Sequence, residues 1–271
     1  MTRIRLIPAL LAASVVAACS KDAVQSLTGP TAGSNIKFYN FGVNAPSVNF
    51  FANDTKVTAV SSTSCTPPPA VPNPACGTTG VESTTGTAYG AAGNGGLYSS
   101  IAPGQYSFSG RISATTDNGL SIVKLSSTLA DGKYYSLYLS GFYNTTTKTV
   151  DAFVVEDPFP ADIDFTKTNV RFVNAISNST PLTVYAKNTA TGDSVVIGSS
   201  IAYKAASPFV AIPAAVYDLT ARASGSNTAV SVATAVSLSV ARVYTVSARG
   251  DITVVSTTAA NRPILTTTAN R

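Results

Sequence analysis

The chain contains an internal repeat, and that repeat restricts it to tandem copies of one module. Ile36-Lys-Phe-Tyr-Asn40 matches Val170-Arg-Phe-Val-Asn174 at an offset of 134, and Val48-Asn-Phe-Phe-Ala52 matches Leu182-Thr-Val-Tyr-Ala186 at the same offset. Farther on, Tyr98-Ser-Ser-Ile101 matches Phe209-Val-Ala-Ile212, and Tyr106-Ser-Phe108 matches Tyr217-Asp-Leu219, both at an offset of 111. The last block, Leu129 to Gly141 against Leu238 to Gly250, aligns Tyr135 with Tyr244 at an offset of 109. The order is collinear. The boundary falls in Glu156-Asp-Pro-Phe-Pro-Ala161, where two prolines exclude a central strand.

Each copy shows about seven short stretches of period-two alternation, such as Val48, Phe50, Ala52 and Leu182, Val184, Ala186. Turn signals separate them: Asp117-Asn118-Gly119, Asp131-Gly132 and Thr191-Gly192-Asp193. Polarity comes from Ser, Thr and Asn rather than from charge, which is only 11%, and that is strand-and-turn composition. The expected fold is all-β, two tandem immunoglobulin-like β-sandwiches, with a barrel as the alternative architecture. The expected organisation is a leader over 1–18, a modified Cys19 and tether over 19–35, and a first sandwich over 36–157. A linker over 158–169, a second sandwich over 170–256 and a C-terminal tail over 257–271 follow.

The chain has no histidine, which excludes Ser-His-Asp triads, Cys-His pairs and histidine zinc helices. No catalytic residue and no cofactor are expected. Residues 1–19 carry a short basic start at Arg3 and Arg5, an apolar run from Leu6 to Val16, and then Val16-Ala17-Ala18-Cys19. The run is too short to span a bilayer and reads as a signal peptide. Its end resembles the bacterial lipobox, which implies a lipid on Cys19 and a membrane anchor through that lipid. Ser20 after the cysteine, by the same resemblance to bacterial lipoproteins, implies the outer membrane of the cell envelope. Without the leader, 16 basic residues face 13 acidic ones with no basic run, so nucleic acid is not an expected partner.

The motif set is F-x-N near the start of each copy, V-x-V/F-[FY]-A in the second strand, [AG]-x-Y before a later strand, and a final L-x-x-G-K-Y-Y-S-L-type strand ending in Gly. This set resembles the bacterial domain of unknown function 4397, over most of residues 36–155 and 170–255. The resemblance implies tandem β-sandwich units of secreted and lipid-anchored proteins. The second copy departs from it with Ala241-Arg242 in place of Gly132-Lys133.

Three groups of residues could carry function. Cys65 and Cys76 lie in the 23 residues by which the first copy exceeds the second, and in an exported protein they read as a disulfide stapling a protruding loop. Tyr134, Tyr138 and Phe142 form an aromatic stripe on one face of a strand whose other face, Tyr135, Leu137 and Leu139, is core. Their counterparts in the second copy are Val243, Ser247 and Asp251, with Thr245 between them, a set suited to water. The stripe is therefore either a platform for an envelope glycan or protein, or it is covered by the extra loop or the second domain. Glu156, Asp157, Asp162 and Asp164 concentrate at the junction and are candidate calcium ligands, or simply a solvated linker. Tyr106 and Tyr217 resemble the tyrosine whose hydroxyl pins a sandwich corner to backbone.

Overall fold

The computed structural model describes residues 33–58, 60–61, 81–82 and 86–270. The leader with Cys19, and the loop holding Cys65 and Cys76, lie outside the described residues.

The described chain is all-β. The first half contains β1 (Ser34–Asn40), β2 (Val48–Ala52), β3 (Thr55–Lys56), β4 (Val60–Ser61), β5 (Val81–Glu82), β6 (Ser99–Ile101), β7 (Gly104–Ile112), β8 (Ser121–Leu129), β9 (Tyr134–Asn144) and β10 (Thr149–Glu156). The second half contains β11 (Lys167–Asn174), β12 (Leu182–Asn188), β13 (Ser194–Ile201), β14 (Val210–Pro213), β15 (Ala215–Ala223), β16 (Ala229–Leu238), β17 (Val243–Arg249) and β18 (Ile264–Ala269). One sheet of the first half runs β10-β9-β1-β6, and its counterpart in the second runs β18-β17-β11-β14. The other sheets run β3-β2-β7-β8 and β13-β12-β15-β16. The two halves therefore share one topology, strand for strand. In both, the first strand pairs in parallel with the penultimate one, Phe38 opposite Leu137 and Phe172 opposite Val246. The short β4–β5 ribbon is extra and stands at the base of the insertion in the first half.

Alternation puts one face of every sheet inward. In the first half Ile36, Phe38, Leu137 and Leu139 of one sheet pack on Val48, Phe50, Phe108 and Ile122 of the other. In the second half Val170, Phe172 and Val246 pack on Leu182, Val184, Tyr217 and Leu219. Burying a side chain of this kind contributes about 1.5–3 kcal/mol, so each sandwich has a core of its own.

The repeated motifs are the joints of this frame. Asn40 and Asn174, which close the F-x-N motifs, are fully buried. Asn40 Nδ2 donates to the Pro46 and Thr87 carbonyls, and Asn174 Nδ2 to the Ile201 carbonyl and Ser179 Oγ. The Tyr106 hydroxyl donates to the Ala102 carbonyl and the Tyr217 hydroxyl to the Pro213 carbonyl, four residues back in each half. The Tyr135 and Tyr244 hydroxyls accept from the Ala130 and Ser239 amides.

Three boundaries differ from the sequence reading, the first being the tether, because β1 already begins at Ser34. The stretch 257–271, read as a tail, holds β18, which pairs with β17 over six positions and sends Leu265 into the core. Its Thr-rich sequence is β-branched and suits an edge strand, although its lack of aromatics hides the kinship with β10. The linker is also shorter than 158–169, because β11 already begins at Lys167.

Candidate functional site: the junction between the sandwiches

The outer face of the β10-β9-β1-β6 sheet meets the outer face of the β18-β17-β11-β14 sheet. Tyr39, Tyr138 and Phe153 lie side by side across β1, β9 and β10, in register. Tyr138 stacks on Tyr39 at 4.6 Å and 7° and on Phe153 at 5.1 Å and 16°. The equivalent row in the second half is Val173, Ser247 and Thr266, made of small side chains. Large rings on one face thus meet small groups on the other. Phe41, Val173 and Ala175 complete the buried cluster, with Tyr203 and Ala206 packed at its margin.

Of the two readings of the stripe, this placement agrees with cover by the second domain at its centre. Tyr138 is 0% exposed, and what covers it is the second sandwich. Thr245 and Ser247 are not on a wet face either; each is 2% exposed. Phe142, at the far end of β9, remains 46% exposed. Tyr134, at the near end, stands beside Tyr98 and Phe159 with ring centroids 5.1 and 4.9 Å away. The three residues do not form one platform, because the central one is interior. Tyr134 instead lines an open groove of about 400 Å³ together with Lys133, Glu156, Pro158 and Phe159.

A polar network crosses the same interface with near-twofold symmetry. Arg171, the counterpart of Lys37, is 1% exposed; its Nη1 donates to the Glu156 carbonyl at 2.8 Å and its Nη2 binds Asp157 Oδ1. Lys37, also 1% exposed, sends its Nζ to the Ala269 carbonyl and to Asn270 Oδ1, both at 3.1 Å. Glu156 and Ala269 are equivalent positions, and so are Asp157 and Asn270. The Asp157 amide donates to the Tyr134 carbonyl and the Asn270 amide to the Val243 carbonyl, at 2.7 Å each. Lys37 sits over the ring of Tyr98 and Arg171 over that of Phe209, the matching residue. Thr245 Oγ1 accepts from both Arg171 Nε and Asn270 Nδ2.

Burial sets the ionisation of this network. The Lys37 amine is pushed down to about 8, by desolvation first, with Asp157 opposing and Arg171 adding to the shift. Burial pushes the Tyr138 hydroxyl up to about 12. Burial, followed by the adjacent Asp157 carboxylate, raises Tyr98 as well. Both phenols therefore stay protonated at neutral pH.

The four junction acids do not converge. Asp157 Oδ2 accepts from the Tyr98 hydroxyl at 2.6 Å and from Ser136 Oγ at 2.8 Å, while its other oxygen holds Arg171. Glu156 pairs with Lys133 at 2.9 Å, Asp164 with Lys167 at 3.5 Å, and Asp162 is exposed. Among the described residues no three acidic or cysteine side chains gather to hold a metal ion. The four candidate calcium ligands are an interior lock, two surface pairs and one exposed carboxylate.

A second set of contacts closes the other end of the junction. Tyr203 Oη lies 2.7 Å from Ser140 Oγ and donates to Asp151, which also pairs with Lys204 at 2.6 Å. The Arg249 guanidinium, equivalent to Ser140, lies over Phe41 and Tyr89.

Sequence reasoning missed Lys37, Arg171 and Asn270. A signal for the first two was present: a cation recurs at the second position of both F-x-N strands, Ile36-Lys-Phe and Val170-Arg-Phe, where neighbours are apolar. A charge repeated inside a buried strand needs a buried partner. No protein-family model matches this chain, and no curated protein matches it.

Proposed function

We propose that this chain is a non-catalytic, lipid-anchored protein of the cell envelope, in which the paired sandwiches act as a spacer or protein-binding module. The observation that carries this reading is the junction. Domains joined by a linker move relative to one another unless a large apolar interface fixes them. Here a buried aromatic row and a buried ion pair fix them. A fixed pair of sandwiches holds whatever its far surface engages at a constant distance and orientation from the membrane. The Val16-Ala17-Ala18-Cys19 leader supplies the anchor in this reading, and the resemblance of both copies to modules of secreted and lipid-anchored proteins agrees with it.

The test is the mature N-terminus. Protein recovered from native membranes and digested should yield an N-terminal peptide that starts at a diacylglyceryl-modified Cys19 and partitions into detergent. A Cys19→Ala chain should leave the membrane fraction while keeping its fold. An unmodified N-terminus beginning at another residue, or membrane retention of Cys19→Ala, would overturn the proposal.

A further inference from the structure

The two ends of the near-twofold network differ in chemistry. At one end a buried guanidinium meets a buried carboxylate, Arg171 on Asp157, and the charges cancel. At the other end the carboxylate is replaced by the amide of Asn270, and among the described residues the hydrogen-bond partners of Lys37 Nζ are neutral. A buried ammonium facing neutral groups is costly, and the cost disappears if the amine gives up its proton or is acylated. Lysine becomes a nucleophile when neutral, whereas arginine does not lose its proton, so only this end can react.

We propose that Lys37 and Asn270 form an intramolecular isopeptide bond that joins the first strand of the first sandwich to the end of the last strand of the second. The neutral amine attacks Cγ of Asn270, and a new Nζ–Cγ bond forms. The Cγ–Nδ2 bond then breaks, one amine proton passes to the departing nitrogen, and ammonia leaves. Atoms balance with no oxidant, reductant or co-reactant. The product is a secondary amide with no charge to bury.

The geometry prepares each part of this step. Nζ lies 3.1 Å from Oδ1 of the amide it would attack, within the reach that makes a bound pair behave as a concentrated one. Asn270 is held on three sides: its amide N–H on the Val243 carbonyl, its Nδ2 on Thr245 Oγ1 at 2.7 Å, and its Oδ1 on Lys37. Thr245 is a positioning residue whose hydroxyl touches the leaving nitrogen. The Tyr98 ring, 4.3 Å from Nζ, covers the amine from below, and Lys37, Arg171 and Thr245 are each no more than 2% exposed. Asn270 itself is half-buried, so the shielding lies on the amine side of the pair. The depressed Lys37 pKa supplies a share of neutral amine near neutral pH.

Mass spectrometry of the purified full chain decides the matter. The expected result is a mass lower by one ammonia, loss of tryptic cleavage after Lys37, and a branched peptide joining the Lys37 segment to Gly250–Arg271. Lys37→Arg keeps the cation and its hydrogen bonds but cannot be acylated, so it should restore the full mass, as should Asn270→Ala. The exposed Asn118-Gly119 turn can also shed ammonia, but that loss persists in Lys37→Arg and gives no branched peptide. Recovery of linear peptides ending at Lys37 and containing intact Asn270 from the unaltered chain would overturn the proposal.

Discussion

Tyr138 and Ser247 occupy the same place in the two repeats, and they touch: the phenolic oxygen lies 3.3 Å from the serine hydroxyl. The repeats therefore meet through equivalent faces, as two copies of a self-complementary subunit would across a twofold axis. The match is one of size as well as position. A tyrosine in both places would collide, and a serine in both would leave a void.

Tyr138→Ala should therefore destabilise the protein by about 3 kcal/mol or more, since it removes the ring stacked between Tyr39 and Phe153. Tyr138→Phe loses the hydroxyl contact alone and should cost about 1 kcal/mol. Ser247→Tyr should be damaging for the opposite reason, by roughly 1–3 kcal/mol from overpacking. Urea denaturation measures all three. An unchanged midpoint in Tyr138→Ala would show that the ring is not a structural wedge.

Asp157 neutralises Arg171 inside the interface, and removing one member of a buried pair leaves the other charge stranded. Asp157→Asn should cost about 3–5 kcal/mol. Adding Arg171→Met to that variant removes the stranded guanidinium and should recover part of the loss. Equal or greater damage in the double variant would contradict the assignment of Asp157 as the counter-ion.

How far the sequence could be read depended on which neighbour decided each residue's fate. Tyr135, Leu137 and Leu139 were legible as core because alternation within one strand, checked against Tyr244 and Val246 in the other copy, depends on the module alone. The fate of Thr245 and Ser247 depends on docking. Small hydroxyl side chains suit water and suit the underside of an aromatic ring equally, so composition alone misassigned that face. The acids at the junction failed similarly: the buried Asp157 and the exposed Asp162 are one residue type a few positions apart, and only the arrival of Arg171 separates them.

In a chain whose Lys37 remains a free amine, stability should vary with pH above neutrality. The folded pKa of about 8 lies below the 10.5 of an unperturbed lysine, so the unfolded chain binds the extra proton between those values. Stability is then lowest and flat below about 8 and rises as pH climbs towards 10.5. Lys37→Met should flatten this slope and be more stable than the parent at pH 7. Chains cross-linked at Lys37 have no amine to titrate and should show the flat profile. Denaturant midpoints between pH 7 and 10 report the difference, and a fall in stability over that range in the uncross-linked chain would reverse the sign argued here.

The last expectation comes from the one place where the second copy departs from its turn motif. Gly132 and Ala241 are equivalent, and both adopt a left-handed backbone, with φ of 68° and 57°. Each donates its amide to the carbonyl at the equivalent position ahead of the first core residue of its half, Gly132 to Gly33 and Ala241 to Lys167. The turn needs this conformation in both halves, and glycine adopts it freely while a residue with a Cβ loses roughly 1–2 kcal/mol. Ala241→Gly should therefore raise stability by about 1 kcal/mol, after allowance for the greater freedom of glycine in the unfolded chain. Gly132→Ala should lower it by a similar amount, and the cost is conformational, because no atom lies within 4 Å of where its Cβ would stand. Thermal melting of the pair tests the symmetry of the argument, and shifts of the same sign for both substitutions would refute it.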